Sequence, residues 1–329
     1  MTRVLVVGVP RSGTTWVSRT LGATPGAGSL DEPDNHFHFP FAYRAKLQLR
    51  TRQFPYLAPT DDAPELEELW QAALAQPRSG PTLGARTRRS GSMRLLASAG
   101  VPSISAALNG TRHPDVRLRL AAALAVPERP PSVTEHLVVK TVHALLGLDW
   151  LLARHELTVV VVLREPLNIL SSWAQLGWLG RPGDDMLDTL SPEAAEHLVS
   201  TIGVQRSAAS VSSVLSRAAW LLGLLTSALK DAVDRHPEWH VVAHEDLCRQ
   251  PNEGFRTLVE TIGLAWDPAV ERLLDEGNRP GTGYEESRER ASLPDAWRSR
   301  LSSAQIRESM DVLGAFPISD WTHWRSNAG

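Results

Sequence analysis

Short unbroken apolar runs alternate along the chain with stretches whose apolar residues recur every three or four positions. Val4 to Val9 is continuous, β-branched and bounded by Gly and Pro, the pattern of a strand buried on both faces. Thr14 to Leu21 reads as a helix closed by Gly22. Leu137-Val138-Val139-Lys140 reads as a strand leading to a helix over Ala144 to Ala153. Leu157 to Leu163, with four consecutive valines, is a strand before a helix that starts near Pro166, because proline suits a first helical turn. Trp239 to Ala243 is a further strand, leading into a helix over Glu253 to Ile262. Strands alternating with helices predict an α/β fold, a parallel central sheet with helices on both faces.

Two regions are less regular. Residues 44–135 are rich in Pro, Gly, Ser and Arg, with a helix candidate at Ala63–Leu74 and an arginine-dense segment from Arg86 to Arg119. Residues 207–235 carry Val211, Val214, Leu215, Ala218, Leu222, Leu225, Leu229 and Val233 at helical spacing, which predicts one long packing helix. No repeat or low-complexity linker divides the chain. The expectation is a single domain over 1–329, with 44–135 a mainly helical and irregular insertion or lid.

Composition narrows the function classes. With 42% hydrophobic and 22% charged residues among 329, the chain is an ordinary folded protein and not a disordered one. The 34 basic and 37 acidic residues leave a net charge of −3, which argues against nucleic acid held by a general basic surface. Cys248 is the only cysteine, so an intrachain disulfide or a multi-thiolate zinc site is excluded. The first apolar run is too short for a secretory leader, and Ala218 to Leu229 falls short of the ~18–20 residues of a membrane span. A cytoplasmic chain with no membrane partner is expected, and a homo-oligomer is compatible with the sequence. Only Lys46, Lys140 and Lys230 are lysines among the 34 basic residues, so a lysine within a motif stands out.

Gly8-x-x-x-x-Gly13-Thr14-Thr15 lies between a strand and a helix, where backbone N–H groups and a helix N-terminus cradle phosphate. The glycine spacing matches the phosphate loop of nucleotide triphosphatases, but Thr14 stands where their lysine belongs and Arg11 supplies a cation inside the loop. Two alternatives remain beside the reading given next: a phosphate-loop kinase using ATP, and a nucleotide-binding module without catalysis.

Val9-Pro10-Arg11-Ser12-Gly13-Thr14-Thr15-Trp16 resembles the 5′-phosphosulfate loop of the sulfotransferases that use 3′-phosphoadenosine 5′-phosphosulfate (PAPS). Arg164-Glu165-Pro166, with Ser172 eight residues after the arginine, resembles that family's 3′-phosphate motif. His244-Glu245-Asp246-Leu247 and Ile262-Gly263-Leu264 add a looser likeness. The resemblance covers roughly 1–35, 136–176 and 239–325. It implies the sulfotransferase variant of the phosphate-loop fold, PAPS as donor, adenosine 3′,5′-bisphosphate (PAP) as product, no metal, and a small-molecule hydroxyl acceptor such as a natural product, carbohydrate or phenol. It points to bacterial secondary metabolism. Pro10, Arg11, Ser12, Gly13, Thr14, Thr15 and Trp16 would bind the donor, with Arg164 and Ser172 at its 3′-phosphate. Arg288 and Arg290, in the loop Gly281 to Arg290, are further candidates there. Trp297-Arg298 resembles a tryptophan-basic pair near the end of many bacterial members.

Sulfuryl transfer needs a base for the acceptor hydroxyl and positive charge at the transferring group. Strand ends in a parallel sheet share one edge, where ligands bind. Ser29-Leu30-Asp31-Glu32 reads as a short second strand reaching that edge, and Glu32 resembles the catalytic glutamate of tyrosylprotein and some bacterial sulfotransferases. His143 is the competing base, because cytosolic aryl and steroid sulfotransferases carry Lys-Thr-His where this chain has Lys140-Thr141-Val142-His143. Lys140, at a strand end, would stabilise the sulfuryl charge. His36-x-His38 alternates with Phe37, Phe39 and Phe41, which reads as a half-buried strand or an acceptor-pocket wall with Tyr43, and not as a metal site. Asn109-Gly110-Thr111 matches a glycosylation sequon that would be idle in the cytoplasm.

Overall fold

The computed structural model describes residues 2–75, 83–130, 135–179, 186–205, 212–279 and 290–319. Five strands are present among them: β1 (Arg3–Val7), β2 (Ala27–Asp31), β3 (His136–Thr141), β4 (Thr158–Leu163) and β5 (His240–Ala243). All pair in parallel, in the order β2-β3-β1-β4-β5. Val4 to Val7 of the central strand are 0% exposed, which is why their run carries no polar alternation.

The helices are α1 (Thr14–Gly22), α2 (Pro40–Gln48), α3 (Pro64–Ala73), α4 (Leu83–Ala99), α5 (Val101–Leu108), α6 (Val116–Leu124), α7 (Leu148–Leu152), α8 (Pro166–Gln175), α9 (Pro192–Ile202), α10 (Val214–Arg235), α11 (His244–Arg249), α12 (Pro251–Thr261), α13 (Pro268–Glu276), α14 (Ala296–Arg300) and α15 (Ser303–Leu313). Leu5, Val7, Val139, Val159 and Val161 project to one face of the sheet and pack with apolar residues of α3, α8 and α10. Val4, Val6, Val138, Val160 and Val162 project to the other and meet α1, α12 and α13. A third cluster joins Tyr43 to Leu96, Ile104, Leu108 and Leu118 from α4, α5 and α6.

Several local expectations change. The helix expected over Ala144–Ala153 is the short α7, because the Thr141 hydroxyl accepts the N–H groups of His143 and Ala144 and holds the chain in a turn. The Phe37–Phe41 alternation is a turn entering α2. There the Asn35 side chain accepts the Phe37 N–H, its carbonyl accepts those of His38 and Phe39, and Pro40 opens the helix. The long helix begins at Val214, capped reciprocally by Ser213 and Ser216, and Val211 lies outside the described residues. The described part of 44–135 is more helical than its composition suggested. The Arg19 and Thr20 carbonyls accept the Ala23 N–H and the Leu21 carbonyl accepts that of Thr24, so α1 closes just after Gly22.

Candidate active site

The registers Val7 opposite Thr141 and Val161, Asp31 opposite Lys140, and Leu163 opposite Ala243 bring five strand ends to one edge. Each is followed there by a polar segment singled out above.

The 8–13 loop is geometrically constrained. A Cβ on Gly8 would fall 2.6 Å from the Val162 carbonyl oxygen, and Gly13, at φ +103°, would drive one to 2.4 Å from the His244 ring. Arg11 holds φ +74°, a left-handed conformation that a non-glycine residue adopts only when its surroundings impose it. They do so through α8: Arg11 Nε donates to Ser172 Oγ at 3.0 Å, Arg164 Nη1 donates to the Arg11 carbonyl at 2.8 Å, and Trp173 Nε1 donates to the Pro10 carbonyl at 3.0 Å. The two motifs, about 150 residues apart in sequence, are therefore one hydrogen-bonded unit. Gly13 caps α1 without any side-chain bond, so the N–H groups of Thr14, Thr15 and Trp16 open on the cradle.

Around this cradle are buried polar atoms without partners: Ser12 Oγ, Arg164 Nε and Arg290 Nη2. Burial pulls the Arg164 guanidinium down to about 10, with Glu245 opposing that pull. Arg290 is 6% exposed, with its guanidinium 5.6 Å from the centre of the Trp16 ring. Two buried cations and a hydroxyl with spare donors make a place for a multiply charged anion. Arg288 lies outside the described residues. Trp297 is buried in the core, with Arg298 stacked 4.3 Å from its ring centre.

At the β2 and β3 ends stand the acid–base candidates. Glu32 has φ +46°, its N–H donates to the Lys140 carbonyl at 2.7 Å, and both carboxylate oxygens are engaged. Lys140 Nζ contacts Oε1 directly, and Asn35 Nδ2 donates to Oε2 at 2.6 Å. Burial pushes the Glu32 carboxyl up, but the Lys140 charge and the bonds from Lys140 and Asn35 outweigh it and leave the group below its ordinary value. His143 Nε2 stands 4.0 Å from Glu32 Oε2. Burial, with Lys46 nearby, holds His143 well below the usual imidazole range, so it is neutral at pH 7.

The four proposed lining aromatics divide. Phe41 is in the main core and Tyr43 is 0% exposed in the insertion's cluster, so these two are packing residues. Phe37 and Phe39 are half-buried, Phe37 with its ring 4.0 Å from that of His36.

Two residues escaped the sequence reading. Asn168, 0% exposed, accepts the Trp297 N–H at 3.1 Å and donates to the Pro294 carbonyl at 2.7 Å, fastening the C-terminal segment to α8. Its position two residues after Pro166 was the available signal. Lys46 is also 0% exposed, although the scarcity of lysine had marked it. It donates to the Gln53 carbonyl at 2.9 Å and pairs with His36 Nδ1 at 3.1 Å.

An open parallel sheet with loops converging at its carboxyl edge defines the large class of α/β proteins that bind ligands at strand ends. Within that class the chain belongs to the sulfotransferase family, whose model matches residues 3–268. Among solved structures, the sulfotransferase domain of the Synechococcus PCC 7002 olefin synthase is 15% identical over 95% of this chain and 94% of its own, with a TM-score of 0.44. The sulfotransferase domain from the curacin biosynthetic pathway is 11% identical over 96% and 99%, with a TM-score of 0.43. Retinol dehydratase, solved with retinol and PAP, is 14% identical over 95% and 80%, with a TM-score of 0.40. No curated protein sequence matches the chain. Among the described residues no helix is long and apolar enough to cross a membrane.

Proposed function

We propose that the protein moves the sulfuryl group of PAPS to a hydroxyl of a small-molecule acceptor in one in-line step. The observation that carries this is the Arg164 guanidinium, tied on one side to the Arg11 carbonyl and left with a buried, unpartnered Nε beside the loop. A cation so placed suits a nucleotide with a second phosphate. Arg11, Ser12, Gly13, Thr14 and Thr15 hold the 5′-phosphosulfate, Pro10 and Trp16 line it, and Arg164, Ser172 and Arg290 take the 3′-phosphate. The acceptor oxygen forms a bond to sulfur as the bond from sulfur to the bridging oxygen breaks. Glu32 takes the acceptor's proton, and PAP leaves with the electron pair, its charge met by Lys140. His143, a buried ring 4.0 Å from the Glu32 carboxylate and held neutral, is read as supporting Glu32 and not as the base itself. The helices of 44–135 cover the acceptor side within a single domain, with Phe37 and Phe39 as apolar lining. Cys248 is buried and unpaired with another cysteine, which fits a cytoplasmic enzyme.

A melting experiment with PAP and ATP side by side tests the reading. PAP at millimolar concentration raises the melting temperature and ATP does so far less, because the site has an arginine clamp for a 3′-phosphate and no lysine in its loop. No stabilisation by PAP would overturn the assignment.

A further inference from the structure

Lys46 touches neither the loop nor the 3′-phosphate clamp, yet it is a fully buried cation bonded to His36, on the turn that carries the proposed base. An ammonium taken out of water costs several kcal/mol unless charge and hydrogen bonds compensate it. Here the compensation comes from separate segments. His36 Nδ1 belongs to the turn behind Glu32, the Gln53 carbonyl to the chain after α2, and Asp34 supplies the opposing charge. Asp34 in turn accepts the Thr141 hydroxyl at 2.7 Å, and that same oxygen accepts the N–H groups of His143 and Ala144. The turn that carries Glu32 in its strained conformation is thus pinned from α2 by Lys46 and from β3 by Thr141.

The charges follow the same plan. Glu32 and Asp34 place two carboxylates two residues apart in a corner supplied with two ammonium groups. Facing Glu32 are Lys140 from β3, His143 from the turn after it, Asn35, Asp34 and His38 from its own turn, and the Lys46–His36 pair from the α2 side. Lys140 is the cation that must also meet the donor.

We propose that Lys46 is a positioning residue for Glu32: from α2 it anchors, through His36, the turn on which the carboxylate meets Lys140 and Asn35. The proposal rests on Glu32 being the base, and its test is independent of turnover. With glutamate carboxyls labelled by ¹³C, the Glu32 resonance is identified by its loss in Glu32→Gln and titrated by NMR. In Lys46→Met its midpoint rises by about half a pH unit or more, because the loosened turn weakens the bonds from Lys140 and Asn35, while stabilisation by PAP is retained. A merely structural lysine would alter the melting temperature and leave the Glu32 midpoint in place, and that result overturns the proposal. Should Lys46→Met fail to melt cooperatively, His36→Phe, which removes the partner of Lys46 on the turn, decides: a raised Glu32 midpoint supports the role, and an unchanged one refutes it. Full transfer activity in Glu32→Gln, or no stabilisation by PAP, instead sinks the functional reading beneath it.

Discussion

Glu32 illustrates how a side chain's chemistry is set by what surrounds it. An ordinary surface glutamate would be ionised at neutral pH but free to wander; here one oxygen is held by Lys140 and the other by Asn35. Because its folded value lies below 4.5, the carboxylate form is present throughout the neutral range. The stability gained from the Lys140 pair is fully present above the unfolded value and is lost as pH falls through the folded one. Glu32→Gln keeps the shape and removes the proposed base, so sulfation from PAPS, assayed over a panel of phenols and alcohols, is expected to drop by about 10²–10⁴-fold. The PAP-induced melting shift is unchanged, since Glu32 lies outside the nucleotide clamp. A loss of both together would mean that the residue supports the fold, not the proton transfer. Glu32 was legible because it follows an apolar turn-back to the strand edge. Lys46 was not, since a lysine between Ala45 and Leu47 on a helix reads as solvated, and what buries it comes from His36 and Gln53.

Among the elements, α8 ties together the most segments of the candidate site. Its cap Glu165 accepts the Leu167 N–H, and Pro166 fixes its first turn. Asn168 and Ser172, four residues apart on one face, then reach in different directions, to the C-terminal segment and to the loop arginine. Asn168→Ala orphans the Trp297 N–H and the Pro294 carbonyl inside the protein, at about 1–3 kcal/mol per group. The expected outcome is a melting temperature lowered by several degrees, together with a weaker PAP shift because the segment bearing Arg290 loses its fastening. An unchanged melting curve would show that water replaces the amide. The strands and the α8 start were readable from apolar runs and proline placement. The turn at 142–147 was not, because a threonine hydroxyl competing for two backbone N–H groups leaves no trace in periodicity. The helices α4 to α6 were masked by composition, their arginines and serines hiding the sparse apolar positions, such as Leu96, Ile104 and Leu118, that bury them.

On the scale of the whole molecule, the sheet order with β1 at its centre sets Arg11, Lys140, Arg164 and Glu245 along one rim. The order of the motifs was readable in the sequence, but the bond from Arg11 to Ser172 belongs to the tertiary fold alone. Gathering charge at one rim has a cost that a titration of stability reveals. Burial, aided by Glu245 and opposed by the Leu167 N–H, pushes Glu165 from 4.5 up to about 8. A carboxyl with a raised folded value stays protonated in the native state while the unfolded chain ionises, so stability falls as pH rises between those two values. Glu165→Gln, which keeps the cap acceptor, removes that contribution. Its melting temperature relative to wild type therefore climbs from pH 4.5 to pH 8 and then levels off. A constant difference would mean that Glu165 ionises normally. The distribution of basic residues has one more outcome. With Lys46 and Lys140 enclosed, Lys230 on α10, its side chain 18% exposed, is the lysine that the native surface offers to amine-directed reagents, so lysine acylation of the folded protein marks one helix and unfolding reveals two further lysines.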